Sequence, residues 1–240
     1  GYNMQKFIGV NTNYKTIKSE KVGVLTGIIY MSPYNLSGKN VCPGASKGCA
    51  AACLNTAGRG AMNVVQAARL KKTQRFFQDR QQFLWDLVNE ISALRRKAKA
   101  KGMKAAVRLN GTSDLPYERY KIRDTGKNIM QLFPDVQFYD YTKIPTRKVE
   151  HIPNYHLTWS YSEANDKYAT MFDKVSNNIA VVFRDALPKM FKGLKVIDGD
   201  KHDMRFLDDT QVVVGLVAKG QGKKDTSGFV IDNIINARAI

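Results

Sequence analysis

Short apolar runs recur along the second half of this chain, and nearly all of them stop at polar residues. That repetition constrains the fold more than any other feature. Residues 105–110 lead into Gly111-Thr112-Ser113-Asp114, residues 136–141 into Thr142-Lys143, and residues 155–160 into Tyr161-Ser162-Glu163. Residues 179–183 lead into Arg184-Asp185, residues 194–197 into Asp198-Gly199-Asp200, and residues 212–217 into Ala218-Lys219-Gly220. An earlier run, 22–31, is β-branched and apolar throughout, as a strand buried on both faces requires. Helical periodicity fills several of the gaps, over 61–72, 73–101, 117–133 and 164–176. The second of these carries Phe76, Phe77, Phe83, Leu84, Leu87, Val88, Ile91 and Leu94 on one side, a core-facing stripe. The pattern is a βα repetition of about seven strands. Because so many strands end in polar residues, it predicts an α/β fold forming a complete or partial TIM-like barrel. An open doubly wound sheet is the other architecture that alternates this way. The expected organisation is one domain over 1–240, with an irregular lead-in at 1–21 and a mobile basic loop at 220–228.

The chain's three cysteines, Cys42, Cys49 and Cys53, fall within twelve positions in a C-x6-C-x3-C pattern. Thiolates are soft metal ligands, and the glycines and alanines between them let backbone wrap closely around an inorganic core. Three ligands leave a tetrahedral site one short, so the expectation is a [4Fe-4S] cluster with one open iron. Zinc is the alternative, with His151, His156 or His202 as fourth ligand. A Cys49–Cys53 pairing one helical turn apart is the plain structural reading. The loop follows the first buried strand, at the carboxyl end where α/β folds carry their chemistry. Just beyond it, Asn55, Gly58, Arg59 and Gly60 read either as a helix cap and turn or as a loop that approaches a cofactor.

Lysine and arginine number 38 against 21 acidic residues, a net charge of +17. Such a surface attracts polyanions, and nucleic acid is the first candidate partner. The cations expected to meet phosphate are Lys71, Lys72 and Arg75, then Arg95, Arg96, Lys97, Lys99 and Lys101, then Lys219, Lys223 and Lys224. No apolar run reaches the roughly 20 residues that cross a bilayer, so no membrane partner is expected. The beginning of the chain lacks a charged-then-apolar signal pattern, and a cytoplasmic location is expected.

Candidate catalytic residues lie at the strand ends: Arg108, Asn110 and Asp114; Asp140 and Lys143; Ser162 and Glu163; Arg184; and Asp198, Asp200, Asp203 and Arg205. The carboxylates suit acid–base work, a hard cation or a nucleoside; as plain loop residues they would cap turns. Arg108 and Arg184 suit phosphate or carboxylate recognition. Phosphate-loop, nucleophile-elbow and H-E-x-x-H motifs are absent.

The cysteine loop with its following Ala-Gly-Arg-Gly, together with Leu109-Asn110-Gly111-Thr112-Ser113-Asp114 and Tyr139-Asp140-Tyr141-Thr142-Lys143, resembles a phage-encoded family related to mycobacteriophage gene product 88. The likeness runs over residues 22–220 and implies a viral or mobile-element origin. Placement of the loop after a first strand is also similar to radical S-adenosylmethionine enzymes, which implies S-adenosylmethionine as a cofactor. Their loop has C-x3-C-x2-C spacing, from which this chain departs. The expected activity is modification of nucleic acid, with Tyr141, Trp159 or Tyr161 receiving an unstacked base. The alternatives are a nucleic-acid-binding replication or takeover factor with a structural cluster, and a metal-dependent nuclease using the carboxylates of 198–209.

Overall fold

The structure is a computed structural model and describes residues 6–10, 14–32, 40–43, 45–48, 63–144, 146–162 and 178–232. Its centre is a mostly parallel sheet of ten strands flanked by helices. The strands are β1 (Ile8–Val10), β2 (Val24–Ile29), β3 (Lys104–Arg108), β4 (Gln137–Thr142) and β5 (Tyr155–Ser160). They continue with β6 (Ile179–Phe183), β7 (Met190–Phe191), β8 (Leu194–Asp198), β9 (Val213–Val217) and β10 (Val230–Ile231). The order across the sheet is β1-β2-β3-β4-β5-β6-β9-β8-β7, with β10 paired to β6. From β2 to β8 every neighbour is parallel, whereas β1 and β7 cap the two edges in antiparallel register.

The described strands therefore form an open sheet, and the ring closure expected of a TIM-like barrel is not shown. A barrel would continue in chain order past β6. Here β9 enters between β6 and β8, and the β7–β8 hairpin ends the sheet. Its turn, Lys192-Gly193, has both central residues at positive φ (47° and 80°), the geometry that matches hairpin twist.

One face of the sheet is covered by helices. They are α1 (Tyr14–Glu20), α2 (Asn63–Gln78), α3 (Arg80–Ala100) and the single turn α4 (Ile129–Leu132). The predicted 73–101 helix is divided at Asp79, whose carboxylate accepts from the Gln82 amide and caps α3. On α3, Phe83, Leu84, Leu87, Ile91 and Leu94 pack against Leu25, Ile29, Val107 and Phe138 of the sheet. The expected stripe is core, as its period required, though Phe77 is partly exposed. Within 117–133 only a 3-10 turn at Tyr117–Arg119 and α4 are helical. The Ile122↔Lys127 bridge and left-handed Asp124 and Gly126 turn the chain between them. The lead-in, read as irregular, supplies β1 and α1.

The 220–228 stretch is better tied than its glycines and lysines suggest. Gly220–Lys224 is a 3-10 helix, and the Arg184 guanidinium donates to the Lys223 and Asp225 carbonyls while pairing with Asp232. The Asp225 carboxylate accepts from Ser227 and from the Val230 amide. These bonds, with the Arg184 guanidinium close by, hold that carboxyl below its usual range, against the opposing effect of burial. The expected 164–176 helix lies outside the described residues.

Candidate functional site at the carboxyl edge

Side chains alternate across a strand, so the sheet has two chemically distinct faces. Toward the helices point Asp140, Tyr155 and Trp159; toward the opposite face point Arg108, Tyr139, Tyr141, His156 and Thr158. The helix-side carboxyl edge is organised by Arg147. Its guanidinium donates to Asp114 (2.8 Å), to both carboxylate oxygens of Glu118 (3.0 and 2.8 Å) and to the Tyr155 hydroxyl (2.9 Å). Tyr155 in turn donates to Asp140 at 2.6 Å. Asp140 also accepts from the amide and side chain of Asn110, and burial pushes its carboxyl up to about 6. The Asn110 oxygen accepts from Ser113 and the Leu115 amide, and Asp114 accepts from the Lys143 amide. Asn110, Asp114, Asp140 and Lys143 thus gather as the sequence suggested. They gather on Arg147, Glu118 and Tyr155, however, which it did not flag. The network is saturated with protein partners, which makes it a clamp joining the loops after β3 and β4.

That clamp reaches the cysteine loop. The Asp114 amide donates to the Val41 carbonyl, and Cys42, buried, directs its sulfhydryl to the Thr112 carbonyl at 3.6 Å. Cys49, Cys53, Asn55, Gly58, Arg59, Gly60 and Glu163 lie outside the described residues. Against the same edge, Arg69 lies over the Tyr30 ring at 4.8 Å, and the Thr73 hydroxyl accepts from the Ser32 amide.

The opposite face is covered by the segment 199–209, whose only regular piece is the 3-10 turn Arg205–Leu207. Arg108 donates to Asp203 at 3.0 Å and lies 4.8 Å over the Tyr141 ring. Tyr139 donates to the same Asp203 oxygen, and its ring meets Phe206 edge-on at 5.3 Å. Arg205 is fully buried, pairs with Asp208 at 3.1 Å and donates to the His202 carbonyl. Burial raises the Asp208 carboxyl to about 6 and the Tyr141 phenol to about 12. Burial, and then the nearby Arg205 charge, lower His156. Eight polar atoms on this face are shielded from solvent without a hydrogen-bond partner: Thr26 Oγ1, Arg108 Nε, Tyr141 Oη, His156 Nδ1, Thr158 Oγ1, Arg205 Nε and Nη1, and Asp208 Oδ2, of which Arg205 Nε and Asp208 Oδ2 face one another as an ion pair.

The remaining predicted residues disperse. Asp198 accepts from the Asp200 amide in a turn, and Asp200 holds Lys219 and the Val217 amide. Among the described residues, no group of three or more His, Cys, Asp or Glu side chains gathers to hold a metal ion. The carboxylates of 198–209 therefore lack the geometry of a cation site. Trp159 and Tyr161 belong to the helix-side core with Phe183 and Phe191, away from Tyr141.

Of the expected phosphate-facing cations, Lys71, Arg96, Lys97, Lys99, Lys223 and Lys224 are exposed. Arg75 pairs with Asp86, Arg95 with Asp135 and Lys101 with Glu20. Lys72 turns inward, and burial followed by Arg69 lowers it to about 8. Its folded value lies below its ordinary one, so the unfolded chain binds more protons between about 8 and 10.5 and stability rises with pH across that window. Lys72→Met is expected to abolish that rise and to gain up to about 3 kcal/mol at pH 7, less what the nearby Glu90 carboxylate loses with the ammonium. Urea unfolding at pH 7 and pH 10 checks both.

No helix among the described residues is long and apolar enough to cross a membrane. A family model described as gene product 88 matches residues 6–233. No curated protein and no solved structure matches the chain.

Proposed function

Since the chain belongs to the gene product 88 family, a phage-type family, we propose that it is an iron–sulfur enzyme that modifies nucleic acid. The observation that carries the reading is the position of Cys42. It is buried at the carboxyl edge of a parallel sheet, against the loop after β3, and opens the C-x6-C-x3-C motif. A [4Fe-4S] cluster on Cys42, Cys49 and Cys53 would supply an open iron at that edge. The chain's own part is to fix the edge: the Arg147 clamp orders the loops on which Cys42 rests.

A second reading, a nucleic-acid-binding factor whose cluster is structural, draws on a different observation. A groove of roughly 440 Å³ at the amino end of β3 is lined by Arg95, Arg96, Lys99 and Lys104, with Asp135 its one acid. The end of α3 thus presents cations beyond what its dipole calls for.

Protein prepared without oxygen is expected to contain about four irons and four sulfides per chain, lost in Cys42→Ala. One zinc per chain with no iron would end the cluster reading. Arg96→Glu/Lys99→Glu/Lys104→Glu is expected to weaken DNA binding at least tenfold and to flatten its salt dependence by roughly one unit of slope per lost contact. Unchanged affinity and slope would remove nucleic acid from that groove. Modification of DNA or RNA by the iron-loaded protein, absent from Cys42→Ala, separates enzyme from binding factor.

A further inference from the structure

We propose that the polar sheet face beneath the Arg205–Leu207 turn is a pocket for a single nucleotide, with its phosphate on Arg108 and Arg205 and its base on the Tyr139 ring that Phe206 now meets edge-on. This deepens the nucleic-acid reading and rests on it only for where the nucleotide comes from.

Arg108 Nε, Tyr141 Oη, His156 Nδ1, Thr158 Oγ1 and Arg205 Nη1 lack hydrogen-bond partners. A buried polar atom left unpaired costs about 1–3 kcal/mol, and folded proteins retain few of them. Here they cluster instead of scattering: β4 and β5 contribute Tyr141, His156 and Thr158 in register, with Tyr141 directly beside Thr158. Thr158 and Arg205 are at most 1% exposed. Folding gains nothing from such an arrangement, whereas a ligand that satisfies it would.

The donor set indicates which ligand. Two guanidiniums and two hydroxyls present N–H and O–H groups, which an oxyanion accepts with charge-assisted strength. Asp203 occupies only the Nη1 side of Arg108, leaving Nε for another acceptor. Beside the arginines lies an aromatic platform. Tyr139 is fully buried; Val24, Ala106 and Met204 pack with it, and Phe206 meets its ring edge-on, an apolar ring at the place where a base would have to enter. The covering segment 199–209 is held over the face by the Arg108–Asp203 pair and by Met204 and Phe206, and the Arg205–Asp208 pair braces the segment internally. An incoming phosphate competes with Asp203 for Arg108 and with Asp208 for Arg205, so the nucleotide takes over those two contacts and displaces the Phe206 ring while Arg205 stays over the face. Trp159 and Tyr161, on the other face, have no part in this.

Calorimetric titration of the full chain with 2′-deoxyadenosine 5′-monophosphate tests the pocket, alongside inorganic phosphate and 2′-deoxyadenosine alone. The nucleotide is expected to bind at least tenfold more tightly than either half. Phe206→Ala, which removes the ring that meets Tyr139 edge-on, is expected to tighten it several-fold. Thr158→Val is expected to weaken it about five- to tenfold while keeping or raising the urea midpoint, since an unpaired hydroxyl adds nothing to the folded state. The proposal is overturned if phosphate alone binds as tightly as the nucleotide, if Thr158→Val leaves affinity unchanged, or if neither wild type nor Phe206→Ala binds. Titrations on iron-loaded and iron-free protein keep the two readings apart. Nucleotide binding without any iron uptake sinks the cluster and keeps this pocket; iron uptake without nucleotide binding does the reverse.

Discussion

Arg147→Ala is expected to lower the unfolding free energy by about 3–5 kcal/mol, the usual cost of breaking a buried ion pair from one side. The Arg147 side chain is only 2% exposed, as are its partners Asp114 (1%) and, nearly, Glu118 (8%). Removing the guanidinium leaves two carboxylates in a site water barely reaches, and strips the Tyr155 hydroxyl of its donor. Arg147→Lys is expected to recover only part of the loss. An ammonium is a compact charge and cannot span Asp114, Glu118 and Tyr155 as the planar fork does. Urea unfolding at pH 7 measures both variants; a loss below about 1 kcal/mol for alanine, the range of a surface pair, would mean the clamp is ornamental. Lowering the pH should narrow the gap between Arg147→Ala and wild type, because protonation relieves the stranded carboxylates.

How far the sequence discloses this site can be followed through particular residues. Leu109–Asp114 and 139–143 read correctly as strand ends with polar tips, and Asn110, Asp114 and Asp140 do meet. Arg147 lies in a short polar stretch, Thr146-Arg147-Lys148, with no local periodicity, and its partners are 29 and 33 residues away. Only tertiary structure joins them. The same holds for His156, weighed from sequence as a zinc ligand and found on the polar face near Arg205. The α/β class was legible because alternating strands and helices follow from period alone. Closure was not: the order β6-β9-β8 depends on where the short β7–β8 hairpin docks, and two-residue strands carry almost no pattern. Lys72 shows the limit of charge counting. It belongs to a run of cations on α2, yet the turn of the helix sends Lys71 to solvent and Lys72 inward.

Gly111→Ala is expected to cost about 1–3 kcal/mol or more and to disturb the cysteine edge along with stability. The Gly111 amide donates to the Ile29 carbonyl at 2.9 Å, drawing the loop after β3 tightly onto the end of β2. A Cβ there would meet that same carbonyl oxygen at 2.8 Å, Ile28 Cγ2 at 2.7 Å and Tyr30 Cδ1 at 2.8 Å. A side chain can rotate away, but the carbonyl cannot withdraw without giving up the hydrogen bond that positions the loop. The neighbouring Thr112 pins both sides of the junction, donating through its hydroxyl to the Met31 carbonyl and accepting from Cys42. Displacing Gly111 therefore moves the shelf on which Cys42 rests, and, under the proposed cluster, iron content should fall with stability. Gly126→Ala is the control: nothing lies within 4 Å of its Cβ position, and its φ of +64° imposes only a backbone strain of about 1 kcal/mol. It lies far from Cys42 in the chain, and iron content should be unchanged. If Gly111→Ala unfolds no more readily than Gly126→Ala, the close approach of the β3 loop to β2 does not hold this edge together.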